Sequence, residues 1–165
     1  MGSDSDLGVM QQALAMLEKM EIPYEVSICS AHRTPDRALE YSRTARDRGL
    51  KVIIAAAGLA AHLPGVLAAA TTLPVIGVPM ASGALRGVDA LYAIAQMPPG
   101  IPVGSVGIDG ARNAALLAAA VVSTFDAKVA ENLAQFRSDQ ADSVNAKHER
   151  LQSVGYQEYL EGGKK

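Results

Sequence analysis

Short apolar runs alternate along this chain with longer stretches whose apolar residues recur at helical spacing, the pattern of an α/β domain built on a parallel sheet. From Asp6 to Met20 the apolar residues Leu7, Met10, Leu14 and Leu17 share one helical face. Pro23 closes the connection to a strand, Tyr24 to Cys29. Thr34-Pro35 then reads as an N-cap followed by proline in the first helical position, opening a helix from Pro35 to Arg48 with Gly49 at its C-terminal cap. The run Lys51 to Ala55 is a second strand, and Leu63-Pro64 opens a helix to about Thr71. Pro74 to Val78 is a short strand ended by Pro79, Gly87 to Ala95 a helix, and Val103 to Gly107 another strand.

An alanine-rich helix is expected from Ala111 to Thr124. An amphipathic run follows from Asp126 to about Gln152, with Leu133, Phe136 and Val144 on its apolar side. The expected division is an α/β domain over 1–125 and, over 126–165, a helical extension of the same domain that packs on a neighbouring subunit. Tyr156 to Leu160 reads as a short helix or coil, and the tail from Gly162 to Lys165 as disordered. No internal repeat or linker interrupts the pattern.

Composition adds constraints. A length of 165 residues suits one domain with its own core. A formal charge of -2 without a Lys/Arg cluster argues against nucleic acid as a partner. The longest apolar stretch, near Ala114 to Val122, is too short to span a membrane. Cys29 is the sole cysteine and makes no internal bridge, which fits a reducing, cytoplasmic setting. Abundant Ala and Gly with no Trp leave few bulky groups for a private core, so a homo-oligomer is expected.

The candidate chemistry lies where two apolar runs break into turns. Ser30-Ala31-His32-Arg33-Thr34-Pro35 follows one strand, and Gly58-Leu59-Ala60-Ala61-His62-Leu63-Pro64 follows the next. Ligands of open α/β sheets gather at such carboxyl ends, and imidazole carries protons near neutral pH. Small residues there let a ligand approach the backbone. Gly2-Ser3-Asp4-Ser5-Asp6 reads either as an ordinary helix cap or as a phosphate-binding turn with free N–H groups.

These segments identify a resemblance. Gly2 to Asp6, Ser30 to Pro35, Ala60 to Gly65, Pro74 to Pro79, Gln96-Met97-Pro98 with Ile101-Pro102-Val103, and Asn113 to Ala118 match, in order, motifs of the N5-carboxyaminoimidazole ribonucleotide mutases and the related phosphoribosylaminoimidazole carboxylases. The resemblance covers almost the whole chain. It implies a three-layer α/β/α, flavodoxin-like fold, a homo-octamer with sites at subunit junctions, and a carboxylate migration in purine biosynthesis that uses no metal and no cofactor. By matched position, His32 is the general acid/base. Ser3 and Asp6 bind substrate, Asp6 through the ribose hydroxyls, while Ser30, Arg33 and Ser5 hold the phosphate. Ala31, Gly58, Ala61, His62 and Leu63 complete the binding set. His62 either orients the carboxylate or only bonds its loop. Arg86, Asp89 and Tyr92 either reach a neighbouring subunit's site or decorate a surface helix, and His148 is solvated.

Alternatives are a carboxylase using aminoimidazole ribonucleotide and free carbon dioxide, and a non-catalytic phosphoribosyl-binding protein. The Gln96 to Val103 stretch resembles the mutase branch. Two departures stand out: Leu59 and Ala56 replace glycines of the family pattern, and leucine disfavours positive φ. The first strand of such a fold would precede Met1, so an upstream strand of roughly five or six residues is expected. Without it, a gap should open beside the segment ending at Cys29.

Overall fold

The computed structural model describes residues 1–162, so residues 163–165 of the tail expected to be disordered lie outside it. A 3₁₀ turn at Asp4–Asp6 leads into α1 (Leu7–Lys19), followed by α2 (Pro35–Ala45), β1 (Ile53–Gly58), α3 (Leu63–Ala69), β2 (Val75–Met80), α4 (Val88–Ala95), β3 (Gly104–Ser105), α5 (Ala111–Val122) and α6 (Ala127–Glu161). The strands are parallel in the order β1-β2-β3, with Ile53 opposite Val75 and Gly58 opposite Met80.

Alternation along the strands separates two cores, which produces the three layers. Ile53, Ala55, Ala57 and Val75 pack with Ala38, Leu63, Leu67 and Ile94 of α2, α3 and α4. Ala56, Ile76, Val78 and Met80 pack on the other face with α1 and with Ala111, Ala114, Ala115, Ala118 and Ala119 of α5. Small side chains bring the layers close. At Gly77 an added Cβ would sit 2.4 Å from Ile94 Cγ2, so α4 seats on β2 only because glycine stands there. One polar link joins the helices of the first face: buried Ser42 Oγ donates to the Leu67 carbonyl at 2.7 Å, tying α2 to α3.

The expected end of α2 is well formed. Leu50 N–H bonds the Ala45 carbonyl, Gly49 N–H bonds the Arg46 carbonyl, and Gly49 takes φ of 90°, a Schellman cap. Thr34 is not the N-cap by side chain; its hydroxyl turns back onto Ser30 instead. β1 and β2 both run further than expected, β2 continuing through Pro79, whereas the third strand shrinks to two residues.

Tyr24 to Cys29 differs from expectation. Among the described residues it belongs to no ladder; Met1 bonds to it and Gly2 bonds to β1. Side chains hold it in place: Arg48 pairs with Glu25 and stacks over the Tyr41 ring at 4.8 Å, and Tyr24 Oη donates to Glu18 at 2.6 Å. The expected gap beside it is present as an apolar cleft of about 360 Å³.

The C-terminal helix also departs in part. Asp126 caps it by accepting from Val129 N–H at 3.1 Å, and Val129, Leu133 and Phe136 are buried in the chain's own core rather than left for a neighbour. Asn132 Nδ2 ties the helix to the Met20 carbonyl at 3.1 Å. Beyond Phe136 nearly every residue is exposed, Val144 included. Gly155, at φ 73° and ψ 163°, kinks the helix, and Tyr156 to Leu160 forms the short helical segment that follows.

Candidate active site

Four segments meet at the carboxyl ends of β1 and β2 around a cleft of about 440 Å³: the Gly2 to Asp6 turn, the turn after Cys29, the loop between β1 and α3, and Ser82 just after β2. This is where the parallel-sheet rule places a ligand. Of the residues expected from sequence, Ser3, Ser5, Asp6, Ser30, Ala31, His32, Arg33, Gly58, His62 and Leu63 line it. Ala61 does not; at 1% exposure it points into the core beneath α3.

The Ser30 turn is a knot of local bonds. Ser30 N–H donates to Thr34 Oγ1 at 2.8 Å, that hydroxyl donates to the Ser30 carbonyl at 3.2 Å, and Thr34 N–H closes the turn on the same carbonyl at 2.9 Å. Ser30 Oγ accepts from Arg33 N–H and Nε, while Arg33 Nη2 donates to the Gly2 carbonyl at 2.9 Å. Arg33 therefore joins two of the four segments. It is the one Lys or Arg lining the cleft among the described residues, a planar cation suited to an oxyanion.

Across the cleft His32 Nε2 meets His62 Nδ1 at 2.8 Å, with ring centroids 4.9 Å apart and planes 78° to one another. Such a contact needs one N–H and one lone pair, so a single proton lies between the rings. His32 rides on the Ser30 turn and His62 stands just before α3, so the pairing arises only because the two segments end side by side.

The N-terminal turn is more self-contained than expected. Ser5 N–H is taken by Ser3 Oγ at 3.3 Å and Asp6 N–H by the Ser3 carbonyl at 3.3 Å, so these donors are not free. Ser5 Oγ lies 3.5 Å from the Asp6 carboxylate. Burial pushes the Asp6 carboxyl above the usual carboxylate range, opposed chiefly by hydrogen bonding at Ser3.

Leu59 adopts φ of 54°, the left-handed conformation that its glycine-favouring position demands, and its side chain is mostly exposed at the rim. Ala56 lies in the core away from the cleft. Ser82 joins the set that sequence motifs indicate: its Oγ is buried without a partner and sits where a Cβ on Gly58 would come to 2.2 Å. A lone serine after a strand carries no local signal. Among the described residues no cluster of three or more His, Cys, Asp or Glu forms a metal site, and no helix is long and apolar enough to cross a membrane.

The family model described as AIR carboxylase matches residues 1–143. The chain belongs to the AIR carboxylase family. Among relatives in that family, the N5-carboxyaminoimidazole ribonucleotide mutase of Pyrococcus abyssi is 57% identical over 162 residues, covering 98% of this chain and 93% of that protein. The phosphoribosylaminoimidazole carboxylase of Saccharomyces cerevisiae is 51% identical over 161 residues, but those span 98% of this chain and only 28% of the yeast protein. In three dimensions this AIR carboxylase family member is similar to Treponema denticola PurE, with a TM-score of 0.80, 26% identity, and coverage of 94% of this chain and 95% of that one. The three-layer, flavodoxin-like α/β architecture follows from the fold and from that likeness together.

Proposed function

We propose that the protein is an N5-carboxyaminoimidazole ribonucleotide mutase of purine biosynthesis, moving a carboxylate from an exocyclic amine to the neighbouring ring carbon. The observation that carries this reading is the His32–His62 contact facing Arg33 across one cleft: a proton carrier and an oxyanion anchor on a single ligand's scale. Ser30, Arg33 and Ser5 hold the phosphate, and Ser3 and Asp6 hold the ribose. Gly58 and Leu63 give close, apolar walls.

The chemistry needs one shuttling base. His32 protonates the carbamate nitrogen, the C–N bond breaks, and carbon dioxide is released into the cleft. The freed amine pushes electrons into the ring, whose carbon attacks the carbon dioxide. That carbon then loses its proton to the now neutral His32, which restores aromaticity and balances the cycle. His62, in contact with His32, positions that ring and its proton. The small residues Ala57 and Ala60 keep the space tight around the trapped carbon dioxide.

Assembly belongs to the same proposal: a cytoplasmic homo-octamer in which the exposed half of α6 packs on neighbours and the cleft rim meets another subunit. Exposed Leu59 at that rim, Leu85, Val88 and Tyr92 just before and on α4, and Val144 and Leu160 on α6 support it.

The test is incubation of purified protein with the carbamate ribonucleotide in bicarbonate-free buffer, and separately with aminoimidazole ribonucleotide and bicarbonate. Direct conversion of the carbamate is expected. Product only from amine and bicarbonate would establish the carboxylase reading, the activity for which the much longer yeast protein is named. Binding without exchange of labelled carboxylate would establish a non-catalytic phosphoribosyl-binding protein.

A further inference from the structure

Two buried side-chain polar atoms have no hydrogen-bond partner among the described residues, Ser82 Oγ and Asp89 Oδ1. Of the two residues, only Ser82 lines the candidate active site. Taking a hydroxyl out of water without a partner costs stability, and native folds rarely leave one so. This chain nevertheless makes room for it. A Cβ on Gly58 would come to 2.2 Å from Ser82 Oγ and 3.3 Å from Ser82 Cβ, so the end of β1 admits the hydroxyl only because glycine stands there.

The backbone that carries Ser82 is fixed from several sides. Asp109 N–H donates to the Pro79 carbonyl at 2.9 Å, and Asp109 Oδ1 accepts from Ala81 N–H at 2.9 Å. Asp109 makes these bonds at φ of 55°, a left-handed conformation that costs a non-glycine residue energy. On the other flank the start of α4 presses on the same segment, where a Cβ on Gly87 would lie 2.9 Å from the Met80 carbonyl. Leu59 leans over the following residue, its Cδ2 only 2.6 Å from where a Cβ on Gly83 would be. The hydroxyl is therefore held in position before any ligand arrives.

Position across the sheet says which part of a ligand it meets. Arg33 Nη2 rests on the Gly2 carbonyl, Gly2 N–H bonds to Ala56 of β1, and β1 pairs with β2, which ends at Met80. Two strand spacings, about 10 Å, thus separate the Gly2 backbone beneath the guanidinium from the backbone that leads to Ser82. A ribonucleotide with its phosphate at Arg33 spans that interval with its ribose and brings the reacting edge of its ring to the Ser82 end. We propose that Ser82 Oγ donates a hydrogen bond to an oxygen of the migrating carboxylate. A carboxylate only accepts, so the free hydroxyl proton finds its partner there, in a charge-assisted bond. The inference rests on the proposed mutase reading and adds to it the residue that tells a carboxylated ring from a bare one.

Calorimetric titration of the parent and of Ser82→Ala with aminoimidazole ribonucleotide and with its 4-carboxy derivative tests it, beside thermal melts of the free proteins. Ser82→Ala is expected to weaken the carboxylated ligand about ten- to hundredfold, the effect of one hydrogen bond to a charged group. The bare ribonucleotide should bind the variant as it binds the parent. Because the hydroxyl is unpaired in the free protein, its removal should leave the melting temperature unchanged or raise it. Equal losses for the two ligands overturn the proposal, and a lowered melting temperature does so too, by showing that the hydroxyl serves the fold. A parent that binds neither ribonucleotide would remove the mutase reading and this inference together. If the parent binds both and Ser82→Ala binds both equally well, only the role of Ser82 falls.

Discussion

Replacing Arg33 by lysine separates what this side chain does for the fold from what it does for a ligand. In the free protein the guanidinium donates to Ser30 Oγ through Nε at 3.4 Å and to the Gly2 carbonyl through Nη2 at 2.9 Å. A lysine ammonium has the charge but not the fork, so it keeps at most one of these bonds. A hydrogen bond to a charged group contributes about 1.5–3 kcal/mol, and exposure here reduces that toward about 1 kcal/mol. For a chain of this size that is a fall in melting temperature of about 2–4 °C. A bound phosphate loses a bidentate partner instead, and the same range without the exposure discount raises Kd about ten- to hundredfold. Calorimetric titration with the carboxylated aminoimidazole ribonucleotide, beside thermal melts of the free protein, reads both. An unchanged Kd with a lowered melting temperature would mean that Arg33 is only a structural clasp and that the phosphate sits elsewhere.

Other substitutions probe separate steps. His32→Asn should lower kcat by about 10²–10⁴-fold with the melting temperature and Kd held, and activity within a few-fold of the parent would remove His32 from the acid/base role. Gly77→Ala drives a methyl into Ile94 Cγ2 and should cost about 1–3 kcal/mol in urea unfolding; a neutral result would mean that α4 rides on the sheet more loosely than the 2.4 Å approach implies. Because burial raises the Asp6 carboxyl above its ordinary value of 3.8, the folded state holds that proton more tightly than the unfolded one. Stability relative to Asp6→Asn should therefore rise as pH falls through the raised value toward 3.8, in denaturant melts taken between pH 7 and pH 4. Parallel pH profiles for the two proteins would show that Asp6 titrates as if unfolded.

Much of this fold is legible from local pattern because helix periodicity and caps are local properties. The Gly49 cap and the Met10 and Leu17 positions of the α1 stripe each depend on residues within a turn or two, although Leu7 of that stripe stays exposed. Strands are different, since a strand exists only when a partner's backbone lies beside it. Tyr24 to Cys29 has the composition of one and joins no ladder, bonding only to Met1 along its backbone edge, and the run at Val103 keeps only two residues in the ladder. The site divides the same way. Most of its lining is visible as two His-bearing turns after apolar runs, whereas Ser82 enters only through the juxtaposition of β1 with β2, and Ala61 is turned inward by the first turn of α3. The leucine at position 59 is legible as a strained substitution, because positive φ is a property of one residue's own sterics. Leu133 and Phe136 show the reverse: an apolar face says that something covers it but not whether the cover is the chain's own α1 and α5 or another subunit.

The candidate phosphate turn hangs from a very short tether. Gly2 holds it to the sheet with one bond from its N–H and to the Ser30 turn with one at its carbonyl, and Met1 adds two more to Tyr24–Cys29. A segment held by so few backbone bonds opens locally with little free-energy penalty, so this tether sets how often Ser3, Ser5 and Asp6 are in place at all. Apparent ligand affinity is the intrinsic affinity scaled by that fraction. Fraying at one residue, remote from every atom of a bound ribonucleotide, then weakens capture while the bound geometry stays the same, and temperature acts on recognition before it acts on the core.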